Sequence, residues 1–303
     1  MARSMNRVPQ HPVQAFAASL AAVAVLSIMD AVMKALVIAI GVYAVSIWRS
    51  LLTLVIAAAL YLPRGLEWPK RATLKIHVWR GVIVMVMALL FFWGIGRVPL
   101  AQAIALTFIA PLIALVLAAL TLGEHIGSRS IIGSVTAFAG VLIIVFGQAT
   151  AKLGPEVLLG SAAIIGSALC YAVNIVLMRH QALAAKPLEI TFFQTLTITG
   201  LWFAAVPLFG MPAWPDGHWL WIGIAAAMSI TGGLLFAWAY ARAQASYLAA
   251  TEYSAFLWAS ALGWIVFHEK LSIYTLAGAA LIIAGCLLAA RGKTAAPPEM
   301  DYT

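Results

Sequence analysis

A chain of 303 residues, 64% of them hydrophobic and only 9% charged, carries more apolar surface than a water-soluble core can bury. The remaining solvent for that surface is lipid, and at about 20 apolar residues per crossing the length allows roughly ten membrane-spanning helices. The net charge of +8 invites a nucleic-acid partner. Its distribution excludes one, because the basic residues collect on one side of the predicted membrane.

In chain order, Arg3 and Arg7 precede an apolar run from Val13 to about Leu36. That run is too long for the apolar region of a signal peptide and is followed by further spans, so it reads as the first helix. Apolar stretches between charged and Pro/Gly punctuation predict helices over 13–36, 42–62, 77–96, 99–122, 127–147, 156–178, 187–210, 218–241, 246–267 and 272–290. The longest connection, Pro63 to Ile76, carries Arg64, Lys70, Arg71 and Lys75, and the tail after Arg291 reads as disordered. With the N-terminus in the cytoplasm, thirteen basic residues fall inside: Arg3, Arg7, Arg64, Lys70, Arg71, Lys75, Arg80, Arg129, Arg179, Lys186, Arg242, Arg291 and Lys293. Only Arg97, Lys152 and Lys270 fall outside. This asymmetry predicts both termini inside. The expected location is the inner membrane of a bacterium.

The chain also repeats itself. LLFFWGIGR (Leu89–Arg97) recurs as LLFAWAYAR (Leu234–Arg242), an offset of 145. At the same offset Glu124 meets Glu269, Gly133 meets Gly278, Gly140 meets Gly285, and Arg49 meets Gln194. Coinciding Trp, Arg, Glu and Gly are hard to obtain by chance in such a sequence, whereas coinciding Ala and Leu are not. Two units follow, 13–147 and 156–291, each of five predicted helices. An odd number of crossings makes the second unit lie inverted, a plan that secondary transporters use, with the substrate site between the repeats.

The glutamate–glycine spacing (Glu124/Gly133 and Glu269/Gly278), Arg49 in the second span and the L-x-x-P/A-x-A run after Arg97 resemble the EamA pattern of the drug/metabolite transporter superfamily. The resemblance implies an all-α bundle of ten helices, with helices 1–4 and 6–9 around a central cavity and helices 5 and 10 outside it. Within that superfamily the chain looks like the YddG-type exporters of aromatic amino acids, which implies amino acid export. One departure is His268, which stands where the first copy has Gly123. It calls the geometry of that second turn into question.

Charges inside the spans mark candidate sites, because each costs about 2.5–3.5 kcal/mol at the bilayer centre. They are Asp30, Lys34, Arg49 and Glu252. At 1.5 Å per residue, Asp30 and Arg49 sit about 10 Å below the outer surface on consecutive helices. An Asp30–Lys34 or Asp30–Arg49 pair is expected, either simply neutralised or serving recognition and gating. Glu252 lies on the cytoplasmic side opposite its repeat mate Thr107, and Gln194 replaces arginine in its half. A carboxylate shielded there suits proton carriage; one that reaches water or Arg242 does not. Trp93, Tyr171, Trp238, Tyr253 and Trp258 lie within spans, where they either pack or wall an aromatic or amphipathic substrate. Asn174, one turn from Tyr171, offers an amide to a ligand.

Glu124 and Glu269 read as caps that fix turns, and the glycines seven apart (Gly133/Gly140, Gly278/Gly285) as a close-packing face. Cys170 and Cys286 lie in apolar runs, and the six histidines fall in connections or at span ends. No catalytic dyad, phosphate loop, metal cage or cofactor motif is evident, which argues against an enzyme and against ATP driving within this chain. The reading is therefore a secondary transporter of small amphipathic metabolites that works by alternating access. A facilitative channel-like uniporter or a non-transporting receptor is the alternative. The expected partners are a small-molecule substrate and membrane lipid, with oligomeric state left open, a monomer included.

Overall fold

The computed structural model describes residues 12–65, 68–110, 113, 128–150, 154–185, 187–240, 251, 252 and 254–290. Ten α-helices lie among them, and none of these residues forms a strand. The first five helices are α1 (Pro12–Ile40), α2 (Val42–Tyr61), α3 (Arg71–Ile95), α4 (Leu100–Thr107) and α5 (Ser128–Thr150). The second five are α6 (Pro155–Ala184), α7 (Pro187–Phe209), α8 (Trp219–Tyr240), α9 (Ser254–Phe267) and α10 (Ile273–Ala290). Among the described residues, six helical stretches are long and apolar enough to cross a membrane: Val13–Ile40, Val42–Arg64, Arg71–Ile95, Pro155–Asn174, Leu188–Phe209 and Trp219–Phe236. Ile131–Gly147, Ser254–Phe267 and Ile273–Gly285 are shorter apolar helices.

Two boundaries differ from the sequence expectation in ways that matter. α3 begins at Arg71 rather than at 77, because Lys70 takes an extended conformation (ψ 151°) just ahead of a helical run that tolerates the exposed Arg71. His77 thereby becomes a fully buried helical residue instead of a span-end one. α6 continues to Ala184, well past the expected 178. Elsewhere α1 and α2 meet at Gly41, whose φ of +81° lets the chain reverse at a cost that a side chain would raise.

Helix packing follows a regular scheme. α1 packs on α8, α3 on α6, α2 on α7, α4 on α9 and α5 on α10, while α2 also touches α8 and α3 touches α7. Exchanging α1–α5 for α6–α10 leaves this set of pairs unchanged. The core is built from Met33, Ile47, Ile95, Leu100 and Leu106 in the first half and Ile164, Ile222 and Ile282 in the second, all fully buried. Large apolar side chains point outward, as Trp264 does at 67% exposure, which suits a surface facing hydrocarbon.

Gly140, Gly278 and Gly285 lie where two helices approach closely. A Cβ added at Gly278 would fall 2.6 Å from the Gly140 carbonyl oxygen, and one at Gly285 would fall 2.8 Å from the Ala137 nitrogen, beside the Gly133 carbonyl. The Gly140–Gly278 and Gly133–Gly285 contacts are therefore the two halves of one seam between α5 and α10.

Candidate functional site

The bundle has two distinguishable ends. The upper end gathers the turns at 41, 96–100, 210–218 and 268–272. There the Tyr43 hydroxyl donates to the Gly210 carbonyl (2.9 Å), Trp48 Nε1 donates to Ala213 (2.9 Å), and Trp48, Trp214 and Trp219 form edge-to-face contacts 5.1–5.2 Å apart. The lower end holds Tyr61 stacked on Phe192 (5.1 Å) and His77 stacked on Phe193 (5.5 Å), with His77 Nε2 3.6 Å from the Glu189 carboxylate. Polar side chains occupy three levels between these ends.

At the upper level Lys34 is 4% exposed although it lies in an apolar helix. Its ammonium pairs with the Glu269 carboxylate and donates to the Val98 carbonyl. The other oxygen of Glu269 accepts from the Leu100 amide at 2.7 Å, so Glu269 caps the N-terminus of α4. This corrects the expectation that it fixes its own turn. The Glu269 amide donates instead to the Gly263 carbonyl (3.0 Å), and a Cβ at Gly263 would meet its carboxylate at 2.6 Å. His268 adopts φ +55°, the left-handed conformation that glycine occupies freely. Lys34, Glu269 and residues 98–100 thus tie α1, the α3–α4 turn and the α9–α10 turn into one latch. The expected Asp30–Lys34 pair does not form, because Lys34 satisfies its charge on Glu269.

The middle level is centred on Arg49 of α2. Its Nη1 donates to Ser229 Oγ of α8 at 3.2 Å, and its Cζ lies 5.2 Å from the Phe92 ring centroid of α3. Arg49 Nε is buried without a hydrogen-bond partner. The expected Asp30–Arg49 ion pair is likewise not closed among the described residues; Asp30 of α1 lies within electrostatic reach of Arg49. Four helices therefore converge on this guanidinium. Gln194, its repeat mate, is partly buried on α7.

At the lower level Arg80 donates from Nε to Asn174 Oδ1 at 2.8 Å, joining α3 to α6. Arg80 is only 8% exposed, which corrects its assignment to a cytoplasmic helix end. Tyr171 lies within electrostatic reach of both Arg80 and Glu252, so Glu252 is not the isolated carboxylate that the sequence suggests. The sequence signal for a buried Arg80 is the long uncharged run that follows it, Gly81–Gly96. Asn174, whose amide the sequence offers to a ligand, here accepts from Arg80 through its amide oxygen.

Other expected residues fall outside these levels. Trp93 carries the Arg97 guanidinium over its ring at 3.6 Å, and Arg97 in turn donates to Glu156 at 2.7 Å, so this indole serves a surface cation. Trp238 and Trp258 are 38% and 39% exposed, and Trp238 lines a shallow outer groove with Ala18, Thr231 and Leu235, positions for lipid contact more than for a central wall. The Thr107 hydroxyl donates to the Ile104 carbonyl of its own helix (2.7 Å). Glu124, Tyr253 and Arg242 lie outside the described residues, as does the tail.

The family model of the EamA-like transporters matches residues 14–146 and again 158–291. The chain belongs to the EamA-like transporter family. A pseudopaline exporter of Pseudomonas aeruginosa is 24% identical over 275 residues, which are 88% of this chain and 92% of that one. A riboflavin transporter of Brucella anthropi is 25% identical over 248 residues, 80% of this chain and 86% of the relative. An uncharacterized transporter of Helicobacter pylori is 26% identical over 249 residues, 81% and 82% of the two chains. One crystal structure superposes with a TM-score of 0.60 at 19% identity, covering 93% of this chain and 100% of its own, which shows a shared fold alone. The chain is thus a polytopic membrane protein of a transporter family. The narrower resemblance to exporters of aromatic amino acids finds no support in the names of these relatives.

Proposed function

We propose that this EamA-like protein exports small amphipathic metabolites, aromatic and other amino acids among them, across a bacterial inner membrane by alternating access. The observation that carries the reading is the stack of three polar levels inside an apolar bundle, each joining helices of the first half to the second: Lys34 to Glu269, Arg49 to Ser229, Arg80 to Asn174. A protein that only spans or scaffolds a membrane gains nothing from buried charges, each of which costs free energy in hydrocarbon. A transporter uses them along its substrate path. The relatives named for pseudopaline export and riboflavin transport support a small organic cargo.

The two units, 13–147 and 156–291, act as inverted repeats of five spans each, with both termini inside. The 145-residue offset, the basic asymmetry and the exchangeable packing scheme support this. In that orientation the upper end faces outward and the Lys34–Glu269 latch holds the exit closed. Purified protein in liposomes loaded with unlabelled amino acids or riboflavin is expected to accumulate the labelled compound by counterflow. Absence of counterflow for every compound, from protein that remains monodisperse, leaves a receptor or scaffold.

A further inference from the structure

The middle level contains two opposite charges that are each incompletely satisfied. Arginine offers five N–H donors, yet Arg49 makes one hydrogen bond, to Ser229, and its Nε is buried with none. Among the described residues no hydrogen bond and no ion pair within 4.0 Å reaches the Asp30 carboxylate, which lies within electrostatic reach of Arg49. Packing does not explain this arrangement. Lys34, one turn further along α1, shows that the bundle can satisfy a buried charge fully when a partner is placed against it. A guanidinium left with free donors in an apolar interior is a site for an anion that can accept two of them in a plane. A carboxylate left open beside it is a site for a cation.

We infer that Asp30 and Arg49 form a zwitterion-recognition site, with Arg49 and Ser229 taking the substrate carboxylate and Asp30 its ammonium group. The Phe92 ring over the guanidinium fixes its plane and places an apolar face next to the polar head, where a side chain of the substrate would begin. Ser229 comes from α8 while Asp30, Arg49 and Phe92 come from α1, α2 and α3, so a bound zwitterion links the two halves. This inference rests on the reading that the protein exports amino acids, and it assigns the two charged ends of that cargo to particular residues. Riboflavin, which has neither a carboxylate nor an ammonium group, would make poor use of it.

The test uses the full chain in liposomes and three probes of one shape: phenylalanine, phenylalaninamide, which lacks the carboxylate, and 3-phenylpropionate, which lacks the ammonium. Wild-type protein is expected to counterflow phenylalanine. Arg49→Gln is expected to raise KM for phenylalanine and 3-phenylpropionate roughly tenfold to a hundredfold relative to phenylalaninamide, the loss of a charge-assisted pair of hydrogen bonds. Asp30→Asn is expected to do the reverse, penalising phenylalanine and phenylalaninamide relative to 3-phenylpropionate. Arg49→Lys should restore part of the preference, because lysine keeps the charge but not the planar fork. Equal losses across all three probes in both variants, in protein that elutes as wild type does, overturn the site while leaving amino acid export standing. Failure of the wild type to move phenylalanine, with flux of a different metabolite, overturns the amino acid reading and the site with it.

Discussion

At the scale of single residues, His268 and Glu252 behave differently from what their neighbours in sequence suggest. His268 holds φ +55°, a conformation that costs a side-chain-bearing residue about 1 kcal/mol and glycine almost nothing. His268→Gly is therefore expected to stabilise the folded protein by about 1 kcal/mol, read as a higher thermal midpoint in detergent, unless the imidazole itself contributes. A lower midpoint would show that it does. Glu252 shares the lower level with Tyr171 and, through it, Arg80. If Glu252 exchanges a proton during transport, Glu252→Gln should flatten the dependence of flux on pH while substrate binding persists; an unchanged profile returns it to packing. The sequence makes the charged candidates visible, because any Asp, Glu, Lys or Arg in an apolar run is conspicuous. It does not reveal partners: Lys34 and Asp30 are four residues apart on one helix, yet Lys34 is held by a carboxylate 235 positions away. Arg80 illustrates the same limit, since its depth depends on where α3 begins.

At the scale of elements, Glu269 performs two tasks on two neighbours. It neutralises Lys34 of α1 and accepts from the first amide of α4, one of the N–H groups that a helix start leaves unpaired. Substitutions should separate these tasks. Glu269→Gln keeps an acceptor for Leu100 but loses the ion pair, while Glu269→Ala loses both, so stability is expected to fall in the order wild type, Gln, Ala in thermal unfolding. Lys34→Met removes the partner and leaves the carboxylate partly buried, at a cost of about 3 kcal/mol. If both latch variants also raise the rate of efflux, the latch limits opening at that end. The α5–α10 seam makes a separate prediction. Gly278→Val places branched carbons against the Gly140 carbonyl and Ile144, so the helices must part, costing about 1–3 kcal/mol. An unchanged midpoint would mean that the seam tolerates separation. The glycine spacing announced a close contact in each half, but not that the two copies meet one another.

At the scale of the whole molecule, the helical class and the approximate course of most helices were legible from hydropathy, because length and apolarity leave few other solutions in lipid. Boundaries were less so: Arg71 and Lys75 lie on α3 because basic residues near a helix end still suit an interface. The orientation is checked by Gly217→Cys, a turn position at φ +74° beside Asp216, which a membrane-impermeant maleimide is expected to label from outside in intact cells. Labelling only after permeabilisation would invert the bundle. The packing scheme has one more consequence. Three helix pairs, α2 with α7, α4 with α9 and α5 with α10, map onto themselves when the halves are exchanged, while α1 with α8 and α3 with α6 map onto each other. A rearrangement that trades the roles of the halves loosens one of the latter contacts as it tightens the other and leaves the self-mapped pairs in place. Under the proposed alternating access, the α1–α8 and α3–α6 contacts are therefore the ones that would trade roles between the inward- and outward-facing forms.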